Sequence, residues 1–393
     1  KILFGFENYE CNTGQQHPLA PPKATDNQKR QDGREPLTDN SGSLWYGEIS
    51  VGTPANKYTV DFDTGSSDLF LPSSNCGQSC NGHKTYDPSA SSTSQDTGNP
   101  FSLSYGDGST VSGEVFTDAV SVAGLAAQDQ AVGAATEYSS GLQSSNFPAD
   151  GLMGMAFQEI SGYNESPFFF TLISQGQVSE SVFAMKLTPE GSELTLGGVS
   201  GDLYKGEVTY VPVTQRGYWQ VDFDSLNVGG SATVSSKPCI IDSGTTLVMG
   251  DSESVASFYS SIPGAQQADS SVGKGFYTFP CDQKPEVSFT LGGKDFSITD
   301  SFNLGRVQEG SDQCVGGIVA SEDTGDKLWI LGDTTSEVGT PNSPVTPFSL
   351  HLVHSSPLHN ALSDRKEIRT EYHFVAFVDN PVRSQSYLPA SNF

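Results

Sequence analysis

Basic residues are scarce: 20 Lys and Arg stand against 46 Asp and Glu in 393 residues, giving a formal net charge of -26 and a pI near 4.3. A surface so poor in cations cannot neutralise phosphates, which excludes nucleic acid and anionic membrane as partners. Long apolar runs are also missing, with nothing approaching the roughly 20 residues of a membrane-spanning helix. No Gly-x-Ser-x-Gly segment occurs, so a serine-hydrolase nucleophile elbow is absent. Cys76, Cys80 and His83 fall short of the Cys/His set that zinc requires, and no metal is expected. Charged residues make up only 17% while glycine alone contributes 42 residues, a texture of short strands and turns rather than long helices.

What is present is an acid motif written twice. In the first copy Tyr58, Val60 and Phe62 alternate along a strand-like run that ends in Asp63-Thr64-Gly65-Ser66, where the glycine lets the chain turn sharply behind the acid. The second copy, Cys239-Ile240-Ile241 leading into Asp242-Ser243-Gly244-Thr245, lies far downstream. A chain of this length exceeds what one core usually organises, so two lobes are expected, each carrying one copy. The acidic balance also fits an acidic workplace, where neutralised carboxylates cease to repel one another.

Residues 1 to about 43 are rich in Pro, Gly, Asn and Gln and read as a loosely structured arm containing the dibasic pair Lys29-Arg30. The chain opens on Lys1 rather than Met, so any secretion signal is expected upstream. Strands are expected over 44–51 and 57–63, then a hairpin over 101–111 with Tyr105-Gly106-Asp107-Gly108-Ser109 at its tip. A short helix is expected around Pro167 to Gln175, a lobe boundary in the loop from Val199 to Leu203, and further strands over 207–212 and 219–228. Asp150-Gly151-Leu152-Met153-Gly154 and Trp329-Ile330-Leu331-Gly332-Asp333 echo each other as apolar pairs closed by glycine. Cys76 and Cys80 are spaced to close a small loop, and Cys281 and Cys314 a larger one, in an oxidising compartment. Free thiols are the alternative, and spacing alone does not decide the pairing.

Together, the two acid motifs, the Tyr105 to Ser109 tip and the two apolar-glycine segments resemble the pepsin-like aspartic proteases, in particular their secreted fungal members. The resemblance runs from about Leu44 to Asp333. It implies a mostly all-β, bilobal fold with a cleft between the lobes and a flap across it, the lobes spanning 31–203 and 204–393 and residues 1–30 being a propeptide remnant. It further implies Asp63 and Asp242 as the catalytic pair, Thr64 and Ser243 as hydroxyls crossing between the loops, and Ser66 and Thr245 on the outer carboxylate oxygens. Gly65, Gly244, Tyr105, Gly106, Asp107 and Leu152 would meet the substrate, an extended peptide or unfolded protein. Relatives with Asp at the position of Asp107 also accept a basic residue before the cut. The implied enzyme needs neither cofactor nor metal, works in acid as a monomer, is secreted or vacuolar, and is inhibited by its own propeptide.

Three features depart from that family. Phe70 stands where mammalian pepsins carry Trp, so the indole partner of Tyr105 is missing and another donor or water is expected to orient the phenol. Cys239 sits three residues before Asp242, where a quiet core thiol is expected. After Asp333, about residues 337–370 form an atypical Pro- and His-rich stretch, read either as a surface insertion or as translated non-coding sequence. The alternative function is a non-catalytic peptide-binding relative or a chain whose second lobe fails to fold. Asn164-Glu-Ser166 is the glycosylation sequon.

Overall fold

Strands Trp45–Val51 and Asn56–Asp63 pair antiparallel, and Gly52, at φ 87°, makes the turn between them. Buried and half-exposed residues alternate along Trp45–Val51, as expected for a strand with one face on a core. This hairpin delivers Asp63 to the strand's end. In the computed structural model, residues 32–40, 42–188, 190–199, 205–299, 301–321, 328–332, 348–355 and 372–379 are described. Of the arm expected to be loose over residues 1 to about 43, the described part is ordered by sheet pairing, with strands Gly33–Pro36 on Glu193–Leu196 and Thr38–Asp39 on Trp45–Val51; Lys29-Arg30, most of the expected lobe boundary and Asp333 lie outside the described residues.

The first lobe is an eight-stranded sheet ordered 38–39, 45–51, 56–63, 151–154, 69–72, 125–138, 110–122, 95–104. The second is a seven-stranded sheet ordered 294–297, 287–291, 220–228, 231–241, 329–331, 248–250, 318–320, with a four-stranded sheet beside it. The two sheets repeat one local plan. Asn56–Asp63 runs parallel to Gly151–Gly154, which pairs antiparallel with Leu69–Pro72. Ser231–Ile241 likewise runs parallel to Trp329–Leu331, which pairs antiparallel with Val248–Gly250. Helices are few and short; the expected one is Phe168–Ser174.

A six-stranded sheet combines strands from both lobes in the order 33–36, 193–196, 182–186, 348–355, 372–379, 205–212. Within the stretch expected to be atypical, Phe348–Ser355 is therefore a strand between Val182–Lys186 and Tyr372–Asp379. The fold is bilobal and mostly β.

One apolar core spans the lobes. Trp219, fully buried, lies 4.4 Å centroid to centroid from Phe157 of the first lobe and donates its indole N–H to the Met155 carbonyl at 3.0 Å. Burying aromatic rings of this size contributes roughly 1.5–3 kcal/mol each, and the satisfied indole avoids the cost of an orphaned donor. The lobes are thus held together directly below the residues that follow the first acid motif.

Candidate active site

Each acid sits where a strand ends and the backbone folds back over it. Asp63 is buried, and its carboxylate receives the Gly65 N–H at 2.7 Å and the Ser66 hydroxyl at 2.5 Å. Asp242 receives the Gly244 N–H at 3.0 Å and the Thr245 hydroxyl at 2.6 Å. The loops then cross. The Thr64 hydroxyl donates to the Ile241 carbonyl at 2.9 Å and accepts the Ser243 N–H at 2.9 Å. The Ser243 hydroxyl donates to the Phe62 carbonyl at 2.7 Å and accepts the Thr64 N–H at 3.0 Å. Four buried hydrogen bonds thereby lock two loops whose sequence separation is 179 residues.

The glycines are required by closeness. A methyl group on Gly65 would overlap the Asp242 carboxylate, and one on Gly244 would overlap that of Asp63. The apolar-glycine segments support the loops from below: a side chain on Gly154 would strike the Ser67 and Asp68 backbone, and one on Gly332 the Thr245 and Leu247 backbone. The Met155 N–H donates to the Asp63 carbonyl at 2.7 Å, and the Asp242 N–H donates to the Leu331 carbonyl at 3.1 Å.

Electrostatics follow from this closeness. Burial first, then the Asp242 charge, push Asp63 from an ordinary 3.8 up to about 7, against the opposing hydrogen bonds from Ser66 and Gly65. The two carboxyls are near enough to hydrogen-bond each other. Neighbouring carboxylates cannot both ionise cheaply, so this closeness is part of what keeps Asp63 protonated to a higher pH than an isolated aspartate.

The hairpin expected over 101–111 is the tip of strands Gln95–Ser104 and Thr110–Val122, and its turn is closed by the Tyr105 N–H donating to the Ser109 carbonyl at 2.9 Å. Gly106 and Asp107 are exposed at its tip. The Asp107 carboxylate is occupied within the turn, accepting the Ser109 N–H at 2.8 Å and its hydroxyl at 2.7 Å. Tyr105 leans on Phe70, with ring centroids 6.3 Å apart, and Leu152 is buried in the same apolar cluster. The Tyr105 hydroxyl is buried and has no hydrogen-bond partner among the described residues, so no side chain or backbone group of the described residues takes the place of the indole.

Disulfides join Cys76 to Cys80 and Cys281 to Cys314, while Cys239 is free and buried. Among the described residues no group of three or more His, Cys, Asp or Glu is arranged to hold a metal, and no helix is long and apolar enough to cross a membrane. Asn164 is exposed in a turn at φ 57°.

Sequence reasoning passed over two acids. Asp68 is buried and receives the Ser161 hydroxyl at 2.6 Å and the Gly162 N–H at 2.7 Å, bracing the first acid loop against residues 161–163. Asp61 is 3% exposed, one alternation upstream of Asp63, and its Oδ1 is without a partner among the described residues. The residue lies on the strand face opposite Tyr58, Val60 and Phe62, so the alternation that located Asp63 carried no signal that Asp61 is buried.

Two lobes contributing one acid each to a cross-braced pair under a hairpin define an aspartic-type endopeptidase. The comparisons agree. The family model described as eukaryotic aspartyl protease matches residues 44–336. An aspartic protease of Phaffia rhodozyma is 44% identical over 312 residues, covering 78% of this chain and 75% of the relative. Pepsin A of Sus scrofa is 34% identical over 313 residues, with 77% and 78% covered, and cathepsin D of Gallus gallus is 36% identical over 315 residues, with 76% and 77% covered. This chain belongs to the eukaryotic aspartyl protease family and is an aspartic-type endopeptidase acting on peptide substrates.

Proposed function

We propose that Asp63 and Asp242 are the catalytic pair and hydrolyse peptide bonds in acid by general acid/base activation of water. The observation that carries this is the geometry of two carboxyls brought face to face by four loop-crossing hydrogen bonds, each against the glycine of the other loop. The ionised carboxylate takes a proton from water, whose oxygen adds to the peptide carbonyl carbon. The protonated partner gives its proton to the carbonyl oxygen. Proton return to the amide nitrogen then breaks the C–N bond and releases amine and acid. Thr64 and Ser243 hold the two loops at one separation. Ser66 and Thr245 fix the outer oxygens so that the inner ones face the water.

An extended peptide lies across the cleft, met by Gly65, Gly244 and the flap residues Tyr105, Gly106 and Asp107, with Leu152 walling a pocket beside the scissile bond. Residues 1–30 are a propeptide remnant released near Lys29-Arg30 and inhibitory while attached, the lobes span 31–203 and 204–393, and the mature enzyme is a secreted or vacuolar monomer. The test is hydrolysis of acid-denatured protein with and without a statine-type inhibitor. Asp63→Asn and Asp242→Asn should each abolish an inhibitor-sensitive activity. Normal turnover by either variant overturns the assignment.

A further inference from the structure

The segment from Gln158 to Ser166 is tightly held on one side and bare on the other. On the held side the Ser161 hydroxyl and the Gly162 N–H donate to Asp68, and the Tyr163 hydroxyl donates to the Leu69 carbonyl at 3.2 Å. The Tyr163 ring also packs edge-on against Phe101 of the flap hairpin, with centroids 5.1 Å apart. On the bare side Gln158, Glu159, Gly162, Asn164 and Glu165 are exposed. Exposed turns are where proteolysis concentrates, and a protease in acid is surrounded by copies of itself. A cut in this segment would release the brace on Asp68 and, through it, the loop that follows Asp63.

Within the exposed run stands the sequence's single Asn-x-Ser/Thr sequon, Asn164-Glu165-Ser166. Asn164 has φ 57°, a left-handed turn conformation that Asn adopts more readily than most residues. Its backbone is fixed from both sides: the N–H donates to the Ser161 carbonyl at 3.2 Å, and the carbonyl accepts the Gln158 side-chain amide at 3.0 Å. Its own side-chain amide faces solvent and hydrogen-bonds to no described residue. Ser166 uses its carbonyl, toward Gln130 and Thr171, while its hydroxyl also bonds to no described residue. A sugar on Asn164 would therefore displace no contact of the folded lobe.

We propose that Asn164 is an N-glycosylation site and that its glycan shields residues 158–166 from cleavage by other copies of this enzyme. The Asn164 Nδ2 attacks the anomeric carbon of a lipid-pyrophosphate-linked oligosaccharide. The N–C bond forms as the C–O bond to pyrophosphate breaks, the electron pair leaves with the lipid pyrophosphate, and one amide proton is released to water. This rests on the secreted or vacuolar placement and on the protease activity stated above. A cleft that binds extended peptide needs several residues of bare backbone, which a hydrated oligosaccharide over the turn denies it.

The test secretes the full chain from a fungal host, together with Asn164→Gln and Ser166→Ala, all three carrying Asp63→Asn so that none digests itself. Intact mass should show carbohydrate on the parent chain, removable by an amidase specific for N-linked glycans and absent from both variants. Ser166→Ala keeps Asn164 and covers the case in which Asn164→Gln does not fold. In acid with added wild-type enzyme, the bare variants should lose intact chain about tenfold faster than the glycosylated parent, their first cut falling within 158–166. A parent that is bare although Cys281 and Cys314 are paired overturns the proposal, as do equal digestion rates. A parent that is bare with those thiols free has not entered the secretory lumen, which overturns the placement and the proposal with it. If added pepsin A cuts the bare variants first in this segment while the wild-type enzyme cuts nothing, shielding stands and the protease reading falls.

Discussion

The two acid loops share one hydrogen-bond plan and differ in their surroundings. In both, the glycine N–H binds one carboxylate oxygen and a hydroxyl three residues after the acid binds the other. Yet Asp63 is buried beneath a flap, whereas Asp242 is half-buried and its Gly244 is exposed. Two residues before the acid, the first loop has Asp61 and the second has Ile240. The matched part of the two loops makes the pair, and the unmatched part gives the two acids unlike walls. Catalysis needs two like groups at one spot, while recognition of a directional peptide needs unlike walls around them.

The largest effects should come from breaking the shared part. Gly65→Ala and Gly244→Ala each drive a methyl into the opposite carboxylate. Each should lower kcat at least about 100-fold, since displacing a reacting group by about 1 Å costs that much. The two losses should be alike, and a tolerated alanine on one side would show that the loops are not equivalent. Next in size is the cross-brace. Thr64→Val and Ser243→Ala each strand one buried carbonyl and one buried N–H, at roughly 1–3 kcal/mol per orphaned group. Denaturant unfolding of the single and double variants measures this. A double loss equal to the sum of the singles would show that the braces act separately rather than as one unit.

The shared part was also the part legible in the sequence. Alternation before Asp63 and apolar closure before Asp242 located both acids, because strand period and turn glycines are local signals. The flap hairpin was legible for the same reason. The asymmetric part was not. Asp61 reads as polar by residue type, and only the pairing of its strand with Gly151–Gly154 shows that its face is covered. Tyr105 was expected to be oriented by another donor or by water, and that its hydroxyl meets no described residue depends on packing across the lobe, which no local pattern encodes. Trp219 and Met155, which tie the lobes beneath the dyad, lie 64 residues apart and were invisible for that reason. The strand Phe348–Ser355 escaped because neighbouring prolines obscured its period.

Acidity sharpens the comparison further. Asp63 is raised from 3.8 to about 7 and Asp61 is raised as well, so between those values the folded state keeps protons that the unfolded chain has released. Their contribution to stability is therefore greatest below the ordinary carboxylate range and is lost as pH rises toward 7. Thermal unfolding should show Tm falling between pH 4 and 7, by the equivalent of at least about 1.4 kcal/mol, the worth of one unit of pKa shift. Asp61→Leu should flatten that fall, while Ile240→Val, its counterpart in the second lobe, should leave it in place. An equal slope in wild type and Asp61→Leu would place the pH dependence elsewhere.

The smallest effect concerns the flap, which belongs to the lobe of the first acid. Tyr163 and Tyr105 both bury a hydroxyl in this lobe, but Tyr163 donates to the Leu69 carbonyl at 3.2 Å while Tyr105 bonds to no described residue. Tyr163→Phe should therefore cost about 1 kcal/mol, the net worth of one hydrogen bond. Tyr105→Phe should change stability by less than about 0.5 kcal/mol, because it breaks no bond and relieves an unsatisfied oxygen. Its consequence should appear instead in kcat/KM, as a loss of about tenfold for peptides that reach the flap. A stability loss matching that of Tyr163→Phe would mean that the hydroxyl is already partnered in the free enzyme. The flap would then be positioned from within its own lobe, with nothing left for the substrate to complete.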